Sequence, residues 1–243
     1  MLSIIIITKN EEKCLPRLLE SIKRQNFRDY EIIVSDAQST DRTREIALAY
    51  GCKIVEGGLP SVGRNNGARV AKGEILLFLD SDVVLPNDFL RKSLKEMKKR
   101  DLGCVAPIFS LMSSRLFDKF IFSFYNNWIK LAEDIYPQAG GSCIFLKKEI
   151  FYSVEGFDIS ILFAEDADFI RRVSKITKFG ILREIKCFLD PRIMYKESRI
   201  KLIYKNMLGA GYRTFFGEIR KPFFNYTLNG GVNIKDVSSI NRI

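Results

Sequence analysis

An α/β fold with a mainly parallel central sheet and helices on both faces follows from the order of hydrophobic patterns in this chain. Short continuous apolar runs alternate with segments whose apolar residues recur at three-four spacing. Polar residues cluster where each apolar run stops. Continuous runs suit strands covered on both sides, the intervening helices supply the crossovers between parallel neighbours, and ligands of such sheets gather at the carboxyl ends of the strands.

Residues 2–7 form the first apolar run, and Leu15, Leu18, Leu19 and Ile22 then mark one helix face. Residues 31–34 are a second strand. Ser39 and Thr40 offer an N-cap for a helix through Ile46, Ala47 and Tyr50, with Gly51 as its stop. Residues 52–55 read as a third strand, 62–71 as a helix broken open by Gly63 and Gly67, 75–79 as a fourth strand, and 87–99 as a helix capped by Asn87. The second half is less regular. A strand is expected at 105–109 and a long helix at 116–135, carrying Phe117, Phe120, Ile121, Phe124 and Trp128. Aromatic residues at helical spacing predict core packing, a lipid or acceptor surface being the alternative. Gly140-Gly141 opens a strand at 143–146, followed by helices at 147–154 and 163–175 and an amphipathic helical segment at 196–216. The expected organisation is one domain over 1–220, divided near residue 100, with a polar tail at 221–243.

Composition narrows the chemistry. Of 243 residues, 39 are Lys or Arg and 29 are Asp or Glu, a formal charge of +10 that favours an anionic partner: nucleotide, nucleic acid or lipid surface. There is no histidine, and Cys14, Cys52, Cys104, Cys143 and Cys187 are scattered, which argues against a zinc site and for a reducing cytoplasm. Acid and base roles fall to carboxylates, Lys, Tyr or Cys, and a hard-metal site must be built from oxygen. The opening residues lack a basic flank and read as a strand, not a signal peptide. No stretch approaches the about 18 uncharged apolar residues of a spanning helix, so any membrane contact is expected at the inner surface.

Three acidic groups carry the chemical argument. Asp80-Ser81-Asp82 follows an apolar run, and alternation along an extended chain lets both carboxylates face one side, a hook for magnesium or manganese bound to a diphosphate. Asp36 follows the second strand, where a carboxylate can accept a base N–H. Glu165-Asp166-Ala167-Asp168 opens a helix. Each has a plainer reading as a turn, loop acid or helix cap.

Taken in order, these segments resemble the family 2 glycosyltransferases, whose members adopt the GT-A fold. The matching stretches are residues 6–11, 34–41, 63–68, 72–82, 140–158 and 165–172. The resemblance implies that Thr8, Asn10 and Glu11 line a nucleoside pocket, that Asp36 reads the base, and that Arg64 and Asn65 lie near base or diphosphate. It implies that Asp80 and Ser81 face the donor, with Asp80 shared between ribose and metal and Asp82 the main ligand of a divalent cation. Asp166 would be the base that activates an acceptor hydroxyl for in-line, inverting attack on a UDP- or GDP-sugar; Gly141, Glu165 and Trp128 would lie on the acceptor side. Lipid-linked acceptors are common in the family. The chain departs from the pattern at Glu155, where Gly is usual, at Ser35, where a second acid is common, and in lacking a metal-shell histidine.

Other readings fit less well. Residues 58–65 have Walker-like glycine spacing, but Arg64 and Asn65 replace Lys and Ser or Thr, and no GxGxxG follows the first strand. Residues 199–221 mix basic and apolar side chains, suited either to an anionic bilayer or to a solvated basic face. No nucleic-acid signature is apparent. A phosphate acceptor, which needs no base, and a catalytically silent nucleotide- or glycan-binding module remain the functional alternatives.

Overall fold

A computed structural model describes residues 1–190, 208–209, 212–213 and 217–220. Most of the amphipathic segment expected at 196–216, and the tail at 221–243, lie outside the described residues. Strands β1 (Leu2–Thr8), β2 (Tyr30–Asp36), β3 (Lys53–Glu56) and β4 (Ile75–Asp80) alternate with helices α1 (Leu15–Lys23), α2 (Thr43–Ala49) and α3 (Pro60–Val70). Then come β5 (Val83–Val84), α4 (Phe89–Lys99), β6 (Cys104–Leu111), α5 (Leu116–Ala132), β7 (Cys143–Lys147), α6 (Lys148–Ser153), α7 (Glu165–Val173) and β8 (Phe179–Leu189). They build one eight-stranded sheet in the order β3-β2-β1-β4-β7-β6-β8-β5.

The first half is parallel throughout: β1 pairs with β2 and β4, and β2 with β3. Alternation along these strands separates two apolar layers. Ile4, Ile6, Leu77 and Leu79 pack with Leu15, Leu18, Leu19, Ala47, Phe89 and Leu90 from α1, α2 and α4. Ile5, Leu76 and Phe78 pack with Ala68 of α3, Ile150 and Phe151 of α6, and Phe169 and Ile170 of α7. Both faces are thus covered, which is why these strands read as unbroken apolar runs.

Several local expectations change. Gly63 and Gly67 do not break α3; they let it lie on β1. A Cβ at Gly67 would sit 2.3 Å from Ile5 Cγ2, and one at Gly63 would sit 3.1 Å from Ile7 Cγ2. Pro60 begins α3, where its missing N–H is harmless. Helix α2 starts at Thr43, and Asp41 rather than Ser39 or Thr40 accepts its first amide. Helix α4 begins at Phe89, after Asp88 in the left-handed region. Gly51, at φ +74°, stops α2 as expected.

The second half of the sheet is mixed. Strand β7 runs antiparallel to β4 and β6, and β5 antiparallel to β8. Neither β5 nor β8 was expected. Strand β8 pairs with β6, but its partners jump from Pro107–Leu182 to Ile108–Lys186. The extra residues carry Arg183 and Glu184 outward and break the apolar alternation. Their amides are satisfied by the Glu96 carboxylate of α4, so a charged side chain from another element closes what the ladder leaves open.

Candidate active site

The carboxyl ends of three adjacent strands form one polar edge. In the parallel register Thr8 stands beside Asp36 and Ile7 beside Asp80, so residues spread over more than seventy positions meet by topology alone. Thr8 Oγ1 donates to Asp36 at 2.9 Å. The Ser39 amide (2.9 Å) and hydroxyl (2.5 Å) and Arg44 (3.4 Å) donate to the same carboxylate, which is fully buried. In this arrangement Asp36 organises the loop after β2 and does not stand open to a base. Asn10 ties the same loop from the other side: its side chain accepts the Thr40 amide at 2.9 Å, and its own amide donates to Ser39 Oγ. The Glu11 amide donates to Thr43 Oγ1, and the Glu11 side chain is buried.

Arg64, presented by α3, joins this edge to the second half. It is buried, and bonds Asp80 at 3.0 Å, Glu165 at 2.8 Å and the Gly141 carbonyl at 3.3 Å. Asp80 meets Gly141 because β7 runs back along β4, the Asp80 amide bonding the Ser142 carbonyl at 3.1 Å. Ser81 is buried, and the Asp82 carbonyl accepts the Asp190 amide where β5 leaves the turn. The Asn65 side chain engages the second half of the chain. Its side-chain amide clasps both backbone groups of Phe157, at 2.9 and 2.8 Å, and so holds the turn at Glu155-Gly156.

Asp166 is at the centre of the second group. A Cβ at Gly141 would lie 2.8 Å from both Asp166 Cβ and Oδ2, so only glycine leaves room for this carboxylate. Burial, reinforced by Glu165, pushes the Asp166 carboxyl up to about 6; Arg64 and the amides of Ala167 and Gly141 oppose the rise. Phe157 stacks on Phe169 at 3.9 Å, with Arg64 over the Phe157 ring at 5.3 Å, an apolar floor beneath the charged groups. Ala164, just before α7, is held at φ +56°. Asp168 is engaged elsewhere, bracing Arg171 and Arg172 on α7.

Two aromatic residues of α5 are placed differently. Trp128 is 52% exposed on the outer surface. Tyr125, which the sequence reading passed over, is the residue of this helix that feels Asp166: burial and that charge push its phenol up to about 12, with the Gly140 backbone against it. Tyr125 shares three-four spacing with Phe122 and Ile129, which groups the three on one face without saying that this face is the inner one.

A "Glycosyl transferase family 2" model matches residues 3–148. A dolichyl N-acetyl-alpha-D-glucosaminyl phosphate 3-beta-D-2,3-diacetamido-2,3-dideoxy-beta-D-glucuronosyltransferase of Methanococcus voltae is 27% identical, over 92% of this chain and 75% of its own length. A 4,4'-diaponeurosporenoate glycosyltransferase of Staphylococcus haemolyticus is 41% identical over 36% of this chain, a match spanning only 25% of that protein. Among solved structures, TarS 1-349 of S. aureus with UDP-GlcNAc superposes with a TM-score of 0.63 at 21% identity, covering 78% of this chain and 58% of that one. The mannosyltransferase PcManGT of Pyrobaculum calidifontis, with GDP-Man and Mn2+, does so at 0.64 and 21%, covering 77% and 56%. The chain thus belongs to glycosyl transferase family 2, with the GT-A fold.

Proposed function

We propose that this chain moves a sugar from a UDP- or GDP-sugar to an acceptor hydroxyl by a single inverting displacement, with Asp166 as the base. The observation that carries the proposal is a buried carboxyl with its proton affinity raised to about 6, wedged against Gly141 and linked through Arg64 to Asp80. Such a group is ionised at neutral pH yet retains more basicity than an ordinary aspartate. Residues 1–100 supply the donor half through Thr8, Asn10, Glu11, Asp36, Arg64 and Asp80. Residues 101–220 supply the acceptor half through Gly141, Glu165 and Asp166. Asp36 contributes chiefly by shaping the loop, and of its four donors Arg44, at 3.4 Å, is the one a base N–H would displace most easily. Asn65 acts at one remove, through the Phe157 turn.

Asp80 and Asp82 are suited to a magnesium or manganese ion. Among the described residues no group of three or more His, Cys, Asp or Glu gathers to hold an ion. Such ions are commonly held by one or two carboxylates together with substrate phosphates, so a pair of aspartates fits that chemistry. When bound, the cation would supply positive charge to the departing diphosphate. Arg64 holds Asp80 in place meanwhile.

The acceptor is proposed to be a lipid-linked glycan at the cytoplasmic face of a membrane. The Methanococcus relative, aligned over most of this chain, is named for a dolichyl-linked acceptor, and a Campylobacter jejuni relative, 36% identical over 90 residues, for one on PP-undecaprenol. Those names specify sugar transfer to a sugar, and a hydroxyl acceptor requires the base that Asp166 provides. Transfer from UDP- and GDP-sugars with manganese tests the reading. Asp166→Asn should lower transfer by about 10²- to 10⁴-fold while keeping the thermal shift produced by the donor. Unchanged transfer by the variant would point instead to a phosphate acceptor, and donor binding without turnover to a silent module. Asp82→Asn should separately lose the manganese-dependent part of the thermal shift with UDP.

A further inference from the structure

The long helix α5 contradicts the core packing expected for its aromatic residues. Leu116, Phe117, Phe120, Phe124, Trp128 and Leu131 are exposed, Phe120 at 70% and Leu131 at 81%, and Ile135 continues the series at 89% just beyond the helix. Their three-four spacing makes one continuous apolar stripe about 25 Å long. The inner face is a different surface: Asp118, Asn126 and Ile129 are buried, and Asn126 bonds both backbone groups of Phe109 in β6. The helix is therefore anchored by its inner side, and its outer side holds large apolar groups toward solvent.

Charge decides among occupants for this stripe. A polar row of Lys119, Ser123, Asn127 and Lys130 runs along one side of it, with Arg115 at the amino end. The exposed charges from 115 to 134 are Arg115, Lys119, the half-buried Lys130, and Asp134. The whole chain carries +10. A second copy laid against the stripe would bring two strongly positive molecules together, whereas an anionic lipid surface accepts both the aromatic stripe and the basic row. Aromatic side chains, Trp above all, favour the boundary between headgroups and acyl chains. No helix among the described residues is long and apolar enough to cross a membrane, so the contact is one of lying on the surface.

We propose that α5 docks this protein on anionic bilayers, with Phe117, Phe120, Phe124, Trp128 and Leu131 entering the headgroup boundary and Arg115, Lys119 and Lys130 facing the phosphates. The inference concerns the surface alone and holds whatever acceptor the site takes.

Trp128 is the sole tryptophan of the chain, so its emission reads the contact directly in the full-length protein. Mixing with vesicles of phosphatidylcholine and phosphatidylglycerol should shift the emission to shorter wavelength, and bromine-labelled acyl chains should quench it. Partitioning into vesicles of phosphatidylcholine alone should be at least about tenfold weaker. The double variant Phe120→Ser/Phe124→Ser should lose at least about tenfold in partitioning, with far-ultraviolet dichroism and melting temperature unchanged, since both side chains are exposed. Three results would overturn the proposal. Short-wavelength emission without lipid, unaltered by vesicles or dilution, would mean that the chain's own remaining residues cover the stripe. A lipid-free shift that grows with protein concentration would mean a second copy. Vesicle binding with Trp128 emission unmoved would place the contact elsewhere, for instance on residues 199–221.

Discussion

Along β1, β2 and β4 the polar residues of the site sit on the strands that deliver them, and the β7–β4 ladder brings Gly141 beside them, whereas Glu165 and Asp166 reach the same edge through contacts across the chain. Thr8, Asp36 and Asp80 need no more than a parallel register. Glu165 stays beside Asp80 because Arg64, 101 positions away in sequence, bonds them both. The strand-end group is thus assembled by hydrogen-bonded ladders, and the group around Asp166 by one buried cation, an apolar floor and the absence of a side chain at residue 141. The first kind of assembly should tolerate loss of a side chain better than the second.

Arg64→Leu should expose that difference most strongly. It removes a buried cation and leaves the half-buried Asp80 and Glu165 without it, and breaking such an arrangement costs about 3–5 kcal/mol. Urea unfolding should show a loss of that order. Without the guanidinium, Asp166 should hold its proton more tightly, so whatever transfer survives should have its acidic limb moved to higher pH. A variant that lost transfer but kept its urea midpoint would show that Arg64 acts on substrate alone and does not join the halves.

Asp166 itself gives the next effect, with an unusual sign. Its carboxyl moves from an ordinary 3.8 to about 6 on folding. The fold therefore favours the protonated form: the contribution to stability is full below about pH 4 and is lost as pH rises through about 6. Asp166→Asn cannot ionise, so it should equal the parent near pH 4 and exceed it by on the order of 2–3 kcal/mol at pH 8, at about 1.4 kcal/mol per unit. Melting curves across that range would check it. The parent's kcat/KM should rise with pH through the same value near 6, since the proposed base must be ionised to act.

A matched pair of glycines sharpens the contrast. Gly67→Ala puts a Cβ 2.3 Å from Ile5 and should cost about 1–3 kcal/mol of stability, with donor affinity nearly unchanged in the folded fraction. Gly141→Ala meets Asp166 at 2.8 Å and should lower transfer severalfold or more, with a smaller change in melting temperature. Equal effects on both quantities would erase the distinction between the two kinds of assembly.

The same distinction decides what the sequence could show. Strands buried on both faces announce themselves as apolar runs, and a βα alternation then places Thr8, Asp36 and Asp80 together without any knowledge of contacts. Strand β8 was hidden because its bulge carries Arg183 and Glu184 outward, and the Glu96 side chain that satisfies it belongs to α4. The aromatic residues of α5 were misplaced for a related reason. Spacing shows that a helix has two faces; which face meets the core depends on where β6 runs, and Asn126 on Phe109 is what fixes it. Arg64 and Glu165 were both legible as site residues, but their pairing was not.

The smallest effect tests whether strain in the second half is incidental or serves the site. Glu155 stands where Gly is usual in the family and is held at φ +61°; Ala164, immediately before Glu165 and Asp166, is held at φ +56°. A side chain in the left-handed region costs about 1–2 kcal/mol, and glycine's extra freedom in the unfolded chain returns about 0.5–1 of it. Both Glu155→Gly and Ala164→Gly should therefore raise stability by no more than about 1 kcal/mol, seen as a small increase in melting temperature. They should part in activity. Glu155 borders a turn already clasped by Asn65 on Phe157, so glycine there should leave transfer unaltered. Ala164 sets the first turn of α7, and a freer backbone at that point lets Asp166 move against Gly141, lowering kcat severalfold at constant donor KM. Equal kcat in the two variants would mean that burial alone orients Asp166 and that the strain at Ala164 is a by-product of the turn.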